Sequence, residues 1–141
     1  MSKVELFLQV WSIFLGAAGF LLGVMAYLSK PAAGTLITGK TFPYKEGSTE
    51  STPLLETEGI DNANIKSWGT RNAAIGLACL VAGIFLKSSD GYIMAFTLCA
   101  YREFFDVTEK SVFEPKDPAS AIAFGIMGII DFVALYFAIK L

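Results

Sequence analysis

The sequence predicts an all-α integral membrane protein, a four-helix bundle with a long loop between its first and second spans. Three observations carry this expectation. Hydrophobic residues make up 54% of the 141 residues against 17% charged, and mean hydropathy is +0.55, too apolar for an ordinary soluble domain of this size. The apolar residues gather into four runs separated by turn-rich pieces. Backbone polar groups in lipid must be satisfied inside the segment that crosses it, so each run is expected to be helical. One domain, residues 1–141, is expected.

The first run, residues 6–28, has no charge in 23 residues, and only Gln9 and Ser12 are clearly polar. At 1.5 Å per residue it covers the roughly 30 Å of a bilayer's hydrocarbon. A cleavable signal peptide is the competing reading, but its apolar core holds roughly 7–15 residues behind a basic start. Here Lys3 is followed by Glu5 and the run is longer, which favours a retained span.

Residues 29–67 form a 39-residue stretch with Pro31, Pro43, Pro53 and five acidic residues. Connections longer than about 12–15 residues are usually functional or disordered. Leu36, Ile37 and Phe42 equip its first part to fold back on the bundle, and residues 45–58 read as a polar linker. A lid over a membrane-facing cavity is the sharper reading of its ends.

The second run, 68–86, and the third, 91–107, are joined by Lys87-Ser88-Ser89-Asp90-Gly91. The fourth, 119–139, follows a joint that contains Pro115 and Pro118. Small residues recur within the runs: Gly16, Gly19 and Gly23 in the first, Gly76, Cys79 and Gly83 on one face of the second, Gly125 and Gly128 in the fourth. Close packing through small residues is what holds helices together in lipid. The Gly19 and Gly23 pair is also a weak dimer signal, so a homo-oligomer stands beside packing within one chain.

Lys3, Lys87 and Lys140 lie on one side of such a topology, and Lys30, Lys66, Arg71, Arg102, Lys110 and Lys116 on the other. The positive-inside rule therefore puts the long loop on the cytoplasmic side and both termini outside, with the endoplasmic reticulum as the candidate membrane.

The chain contains no histidine, which excludes a Ser-His-Asp triad, a Cys-His pair and a histidine-ligated metal. No metal and no cofactor are expected. A net charge of −2 without a basic stripe gives no nucleic-acid face. Cys79 and Cys99 read as small apolar packing residues, with neither metal spacing nor a disulfide framework.

Ionisable groups inside spans cost roughly 2.5–3.5 kcal/mol each on insertion scales and need a reason. Arg71 and the polar Asn72 open the second span, Arg102, Glu103 and Asp106 close the third, and Asp131 stands alone in the fourth. The second span starts and the third ends on the same side, which puts Arg71, Asn72, Arg102 and Asp106 in one leaflet. Ala95, Cys99, Arg102 and Asp106 follow the spacing of one helix face, and Asn72 shares a face with Gly76, Cys79 and Gly83. Asp131, 12 residues beyond Ala119, lies about 18 Å along its helix, near the midplane, and is expected at a helix interface or cavity. Glu103 reads as the interfacial end of the third span. Arg71 and Asp106 are either an ion pair tying two helices or part of a catalytic or binding centre. Trp11 and Trp68 read as interface anchors.

Pro31-Ala32-Ala33-Gly34, then Trp68-Gly69-Thr70-Arg71-Asn72 with Ala73-Ala74-Ile75-Gly76 beyond, and Asp106 at the end of the third span form a pattern. It resembles a widespread family of small four-span membrane proteins of unknown function, over nearly the whole chain. Fungal members of that type are associated with polyketide biosynthesis, a branch of secondary metabolism, and with small epoxide hydrolases that open polyene-derived epoxides and cyclise them. The resemblance implies a membrane-embedded, cofactor-independent epoxide hydrolase or cyclase whose apolar, polyketide-like substrate arrives through the lipid bilayer. Epoxide opening requires an acid to protonate the oxygen and a carboxylate to activate water or an internal hydroxyl. Asp106 and Asp131 would be that pair in an unassigned order, with Arg71 tuning them, Asn72 positioning the nucleophile and Arg102 beside Asp106. The alternative is a non-catalytic membrane subunit or hydrophobic-ligand-binding module, in which the same charges tie helices together. A transporter is weaker, because four spans without a repeat leave little machinery for alternating access.

Overall fold

The computed structural model describes residues 1–28, 62–108 and 118–141. The expectations for residues 29–61, a fold-back segment, linker or lid, and for the joint at 111–117 lie outside them.

Four helices account for almost all of the described residues: α1 (Lys3–Leu28), α2 (Asn62–Leu80, continued by a π-helical segment Val81–Leu86), α3 (Ser89–Thr108) and α4 (Pro118–Lys140). Each apolar run is helical, and each helix extends past its run. At the start of α1 the reason is a capping box: Ser2 N–H donates to Glu5 Oε2 at 2.5 Å and Glu5 N–H to Ser2 Oγ at 3.1 Å. Glu5, which bounds the apolar run on paper, here satisfies the helix terminus.

Three helices are long and apolar enough to cross a membrane: Lys3–Leu28, Lys66–Leu86 and Ala121–Lys140. The expected fourth span, α3, falls short of that measure because it carries Asp90, Arg102, Glu103 and Asp106. Of these, Arg102, Glu103 and Asp106 are buried, while Met94, Leu98, Tyr101, Phe104 and Phe105 point outward. The polar side of α3 is its inner side.

Neighbouring helices run antiparallel. Tyr27 at the end of α1 hydrogen-bonds Thr70 at the start of α2, and Ser89 Oγ at the start of α3 donates to the Ala138 carbonyl near the end of α4 at 2.6 Å. α1 packs chiefly along α2, and α3 along α4; α2 makes no close approach to α4. The α1–α2 seam is backbone against backbone. A Cβ on Gly23 would stand 2.5 Å from the Ala73 Cβ, and one on Gly69 2.5 Å from the Ala26 Cβ. Gly19 and Gly23 therefore face α2 of the same chain.

The two polar residues of the first run serve the same seam. Ser12 Oγ donates to the Cys79 carbonyl at 2.8 Å and Gln9 Nε2 to the Gly83 carbonyl at 3.2 Å. The π-helical segment ends where Lys87 takes a left-handed conformation, φ 46°, with its N–H on the Ala82 carbonyl. That leaves Gly83 among the terminal carbonyls that need an outside donor, and Gln9 supplies one. The core is built mainly of small residues, Cys79, Ala82, Ala95, Cys99, Ala134 and Ala138, with Leu8, Leu15, Tyr92 and Phe96. Many large apolar side chains, such as Phe85, Leu21 and Ile129, are exposed, the pattern expected of helices that meet through small residues in lipid.

Candidate functional site

The buried charges belong to α2, α3 and α4, and α1 contributes a neutral donor to them. Arg71 Nη2 at the start of α2 donates to Asp106 Oδ1 near the end of α3 at 2.7 Å, joining a one-third exposed guanidinium to a largely buried carboxylate. Arg71 Nε is buried without a partner among the described residues. One turn back on α3, Arg102 donates through Nε, at 2.9 Å, and through Nη2 to Glu103 Oε1. On α4, fully buried Asp131 accepts from the Trp11 indole N–H of α1 at 2.9 Å. Among the described residues, Oδ2 of Asp131 and Oε2 of Glu103 are buried with no hydrogen-bond partner.

Asp106 and Asp131, expected to work as a pair, each have a separate partner. Arg102 and Asp106 share the buried face of α3, as their spacing predicts. Asn72 is buried, but its Nδ2 donates at 2.9 Å to the Trp68 carbonyl one turn back. Its amide donor is engaged with its own helix rather than turned to a nucleophile.

Two residues change role. Glu103, read as the interfacial end of a span, is 2% exposed. Its spacing from Cys99 and Asp106, four and three residues, already places it on the inner face. Trp11, read as an interface anchor, is the donor to Asp131 and stacks on Phe14 with ring centroids 5.3 Å apart. The signal for that contact is depth. Trp11 lies eight residues into α1 from Lys3, and Asp131 nine residues before Lys140. At the helical rise these are about 12 and 13.5 Å from the same end.

The cluster holds three carboxylates, Glu103, Asp106 and Asp131, against two guanidiniums, Arg71 and Arg102. Asp131 is the carboxylate whose one hydrogen-bond partner is a neutral donor. Hydrogen-bond acceptors outnumber committed donors here, so the arrangement is suited to taking up a donor group or exchanging a proton. Cys79 and Cys99 are buried free thiols with Sγ atoms 3.3 Å apart, on α2 and α3. Among the described residues no group of three or more His, Cys, Asp or Glu side chains is placed to hold a metal ion. A cleft of about 310 Å³ lined by Met1, Glu5, Gln9, Lys87 and Tyr92 opens at the opposite end of the helices from Arg71 and Asp106.

No known protein family, curated protein or solved structure matches this chain.

Proposed function

We propose that the chain is a multi-pass membrane protein, its four helices crossing the bilayer as a bundle, and that it catalyses epoxide opening on an apolar, polyketide-like molecule by carboxylate acid–base chemistry. The inward charges and outward aromatic and aliphatic side chains of α3 support its place as the fourth span. The observation that carries the catalytic reading is Asp131: a carboxylate with no exposed surface, held through one oxygen by Trp11 and open at the other. A buried polar group without a partner costs stability and calls for an explanation, of which a catalytic role is one.

The chemistry asks for two carboxyl groups in opposite protonation states. The acid transfers its proton to the epoxide oxygen as the C–O bond breaks. The carboxylate takes a proton from the attacking water or hydroxyl as the new C–O bond forms, giving a diol or a cyclic ether. Protons lost and gained balance, so the pair ends with its two protonation states exchanged, and one proton passed from the second carboxyl back to the first restores the starting state. Asp131 supplies one group and a carboxylate of α3 the other, and the guanidiniums of Arg71 and Arg102 hold the α3 carboxylates in place.

Asp131→Asn tests this directly. General acid–base catalysis contributes roughly 10²–10⁴-fold, so turnover of a lipophilic epoxide in detergent or vesicles is expected to fall by at least 100-fold, with helix content and thermal midpoint kept. Turnover equal to that of the unaltered protein would overturn the reading. The second reading, a non-catalytic membrane module, is favoured by the Arg71–Asp106 and Trp11–Asp131 bonds, each of which joins two helices.

A further inference from the structure

Two open oxygens, Glu103 Oε2 on α3 and Asp131 Oδ2 on α4, belong to facing helices. The Cβ position of Gly128, three residues before Asp131, is 3.3 Å from the Glu103 Cβ. The glycine thus seats the Glu103 stem directly against α4. The charged groups that act on Asp131 are Glu103 and Arg102. Asp106, by contrast, is committed at 2.7 Å to Arg71 on α2.

We propose that Glu103, rather than Asp106, is the second carboxylate of the site, and that Glu103 and Asp131 bind one hydroxyl-bearing apolar ligand through their two open oxygens. Each acid has one oxygen settled, Glu103 Oε1 by Arg102 and Asp131 Oδ1 by Trp11, which fixes both carboxyl planes and leaves one lone-pair edge of each for a ligand. Buried acceptors left unpaired favour a ligand that brings a donor over one that brings only apolar surface. Asp106 then plays a different part. With Arg71 it fixes α3 against α2 and so sets the position of Glu103, one turn away on the same face. As a statement about turnover the proposal rests on the reading given above; as a statement about which carboxylates form the site it does not.

The experiment has one arm for each. In the first, the full-length protein in lipid vesicles is treated with N,N′-dicyclohexylcarbodiimide, a lipid-soluble reagent. A carboxyl O–H adds across its C=N bond and the product rearranges to a stable N-acylurea, so the residue gains one whole reagent molecule and no other reactant is needed. Peptide mass spectrometry is expected to find the adduct on Glu103 or Asp131 and to find Asp106 unmodified. An added long-chain alcohol is expected to slow the modification at least fivefold, whereas the alkane of equal length leaves it unchanged. An adduct on Asp106, no adduct on either proposed residue, or equal protection by alcohol and alkane would each overturn the proposal.

In the second arm, Glu103→Gln is expected to lose at least 100-fold in epoxide turnover, and Glu103→Asp to regain part of that loss. Labelling as expected with no epoxide turnover in any form of the protein would remove the enzyme reading and leave the two-carboxylate site standing. Full turnover in Glu103→Gln would remove Glu103 from the site.

Discussion

At the scale of single residues, the polar groups of this chain divide into those that tie helices and those that remain open. Arg71 and Asp106 are the clearest tie. The two are not equivalent, because the Arg71 side chain is about one-third exposed (36%) and that of Asp106 is 11% exposed. Removing Arg71 leaves a largely buried carboxylate without its partner, which is the costly way to break such a pair. Removing Asp106 leaves a long cation that can snorkel to water. Arg71→Ala is therefore expected to lower the thermal midpoint in detergent more than Asp106→Ala does, and the double variant to cost less than the sum, with a coupling of about 0.5–3 kcal/mol. Strict additivity would show that the bond contributes nothing to stability. The residue scale is only partly legible in the sequence. The burial of Asn72, Arg102, Asp106 and Asp131 follows from helix periodicity, but their partners do not, since a partner depends on which helices become neighbours. Glu103 and Trp11 depart from expectation for a common reason: charged and aromatic residues near span ends usually sit at the interface, and here tertiary packing draws both inward.

At the scale of helices, two kinds of contact hold the fold. The α1–α2 seam relies on glycine. Because a Cβ added to Gly23 would meet Ala73 Cβ at 2.5 Å and Ala73 N at 2.7 Å, the helices must separate to admit it. Gly23→Ala is expected to destabilise by about 1–3 kcal/mol, the usual range for overpacking, which exceeds the gain of about 0.5–1 kcal/mol from replacing a helical glycine. Gly125 has nothing within 4 Å of its Cβ position, so Gly125→Ala is expected to be neutral or to stabilise by about that gain. Thermal midpoints of both variants in one detergent check the contrast, and equal shifts would mean that the seam is looser than the glycine spacing indicates. Polar bonds add to it, Gln9 and Ser12 on the carbonyls of α2 and its π-helical extension, and a polar bond ties the α3–α4 seam as well, Ser89 on Ala138. The glycines and the two polar residues of the first run are visible in the sequence as exceptions to its pattern. The π-helical turn is not, because its hydrogen-bond register has no compositional mark of its own.

At the scale of the whole molecule, the proposed membrane reading turns on whether α3 crosses the bilayer with the other three helices, and parity decides it. With four spans both termini lie on one side; if α3 lies along the surface or within a re-entrant fold, three spans put them on opposite sides. Composition alone favours three, since α3 is the helix that falls short in apolar length. Packing favours four. The three ionisable residues in the second half of α3 are buried, its outward face is aromatic and aliphatic, and it runs antiparallel to α4, one of the helices long and apolar enough to span. Charges that are paired inside a protein do not meet lipid, which is how ionisable residues within spans are usually accommodated. The same argument bears on orientation. Arg102 is buried against Glu103 and Arg71 is paired with Asp106. Setting both arginines aside, the proposed topology has Lys30, Lys66, Lys110 and Lys116 near the span ends on the side of the long loop, with Lys40 and Lys45 farther along that loop, against Lys3, Lys87 and Lys140, a bias of the same sign. In a background where Cys79 and Cys99 are alanine, single cysteines at Ser2, Ser48 and Leu141 are expected to react with a membrane-impermeant maleimide in two groups. Ser2→Cys and Leu141→Cys are expected to label from the side opposite the cytoplasm, and Ser48→Cys in the long loop only after the cytoplasmic face is opened. Labelling of the two termini from opposite sides would reduce the count to three spans and remove α3, with Glu103 and Asp106, from the membrane interior.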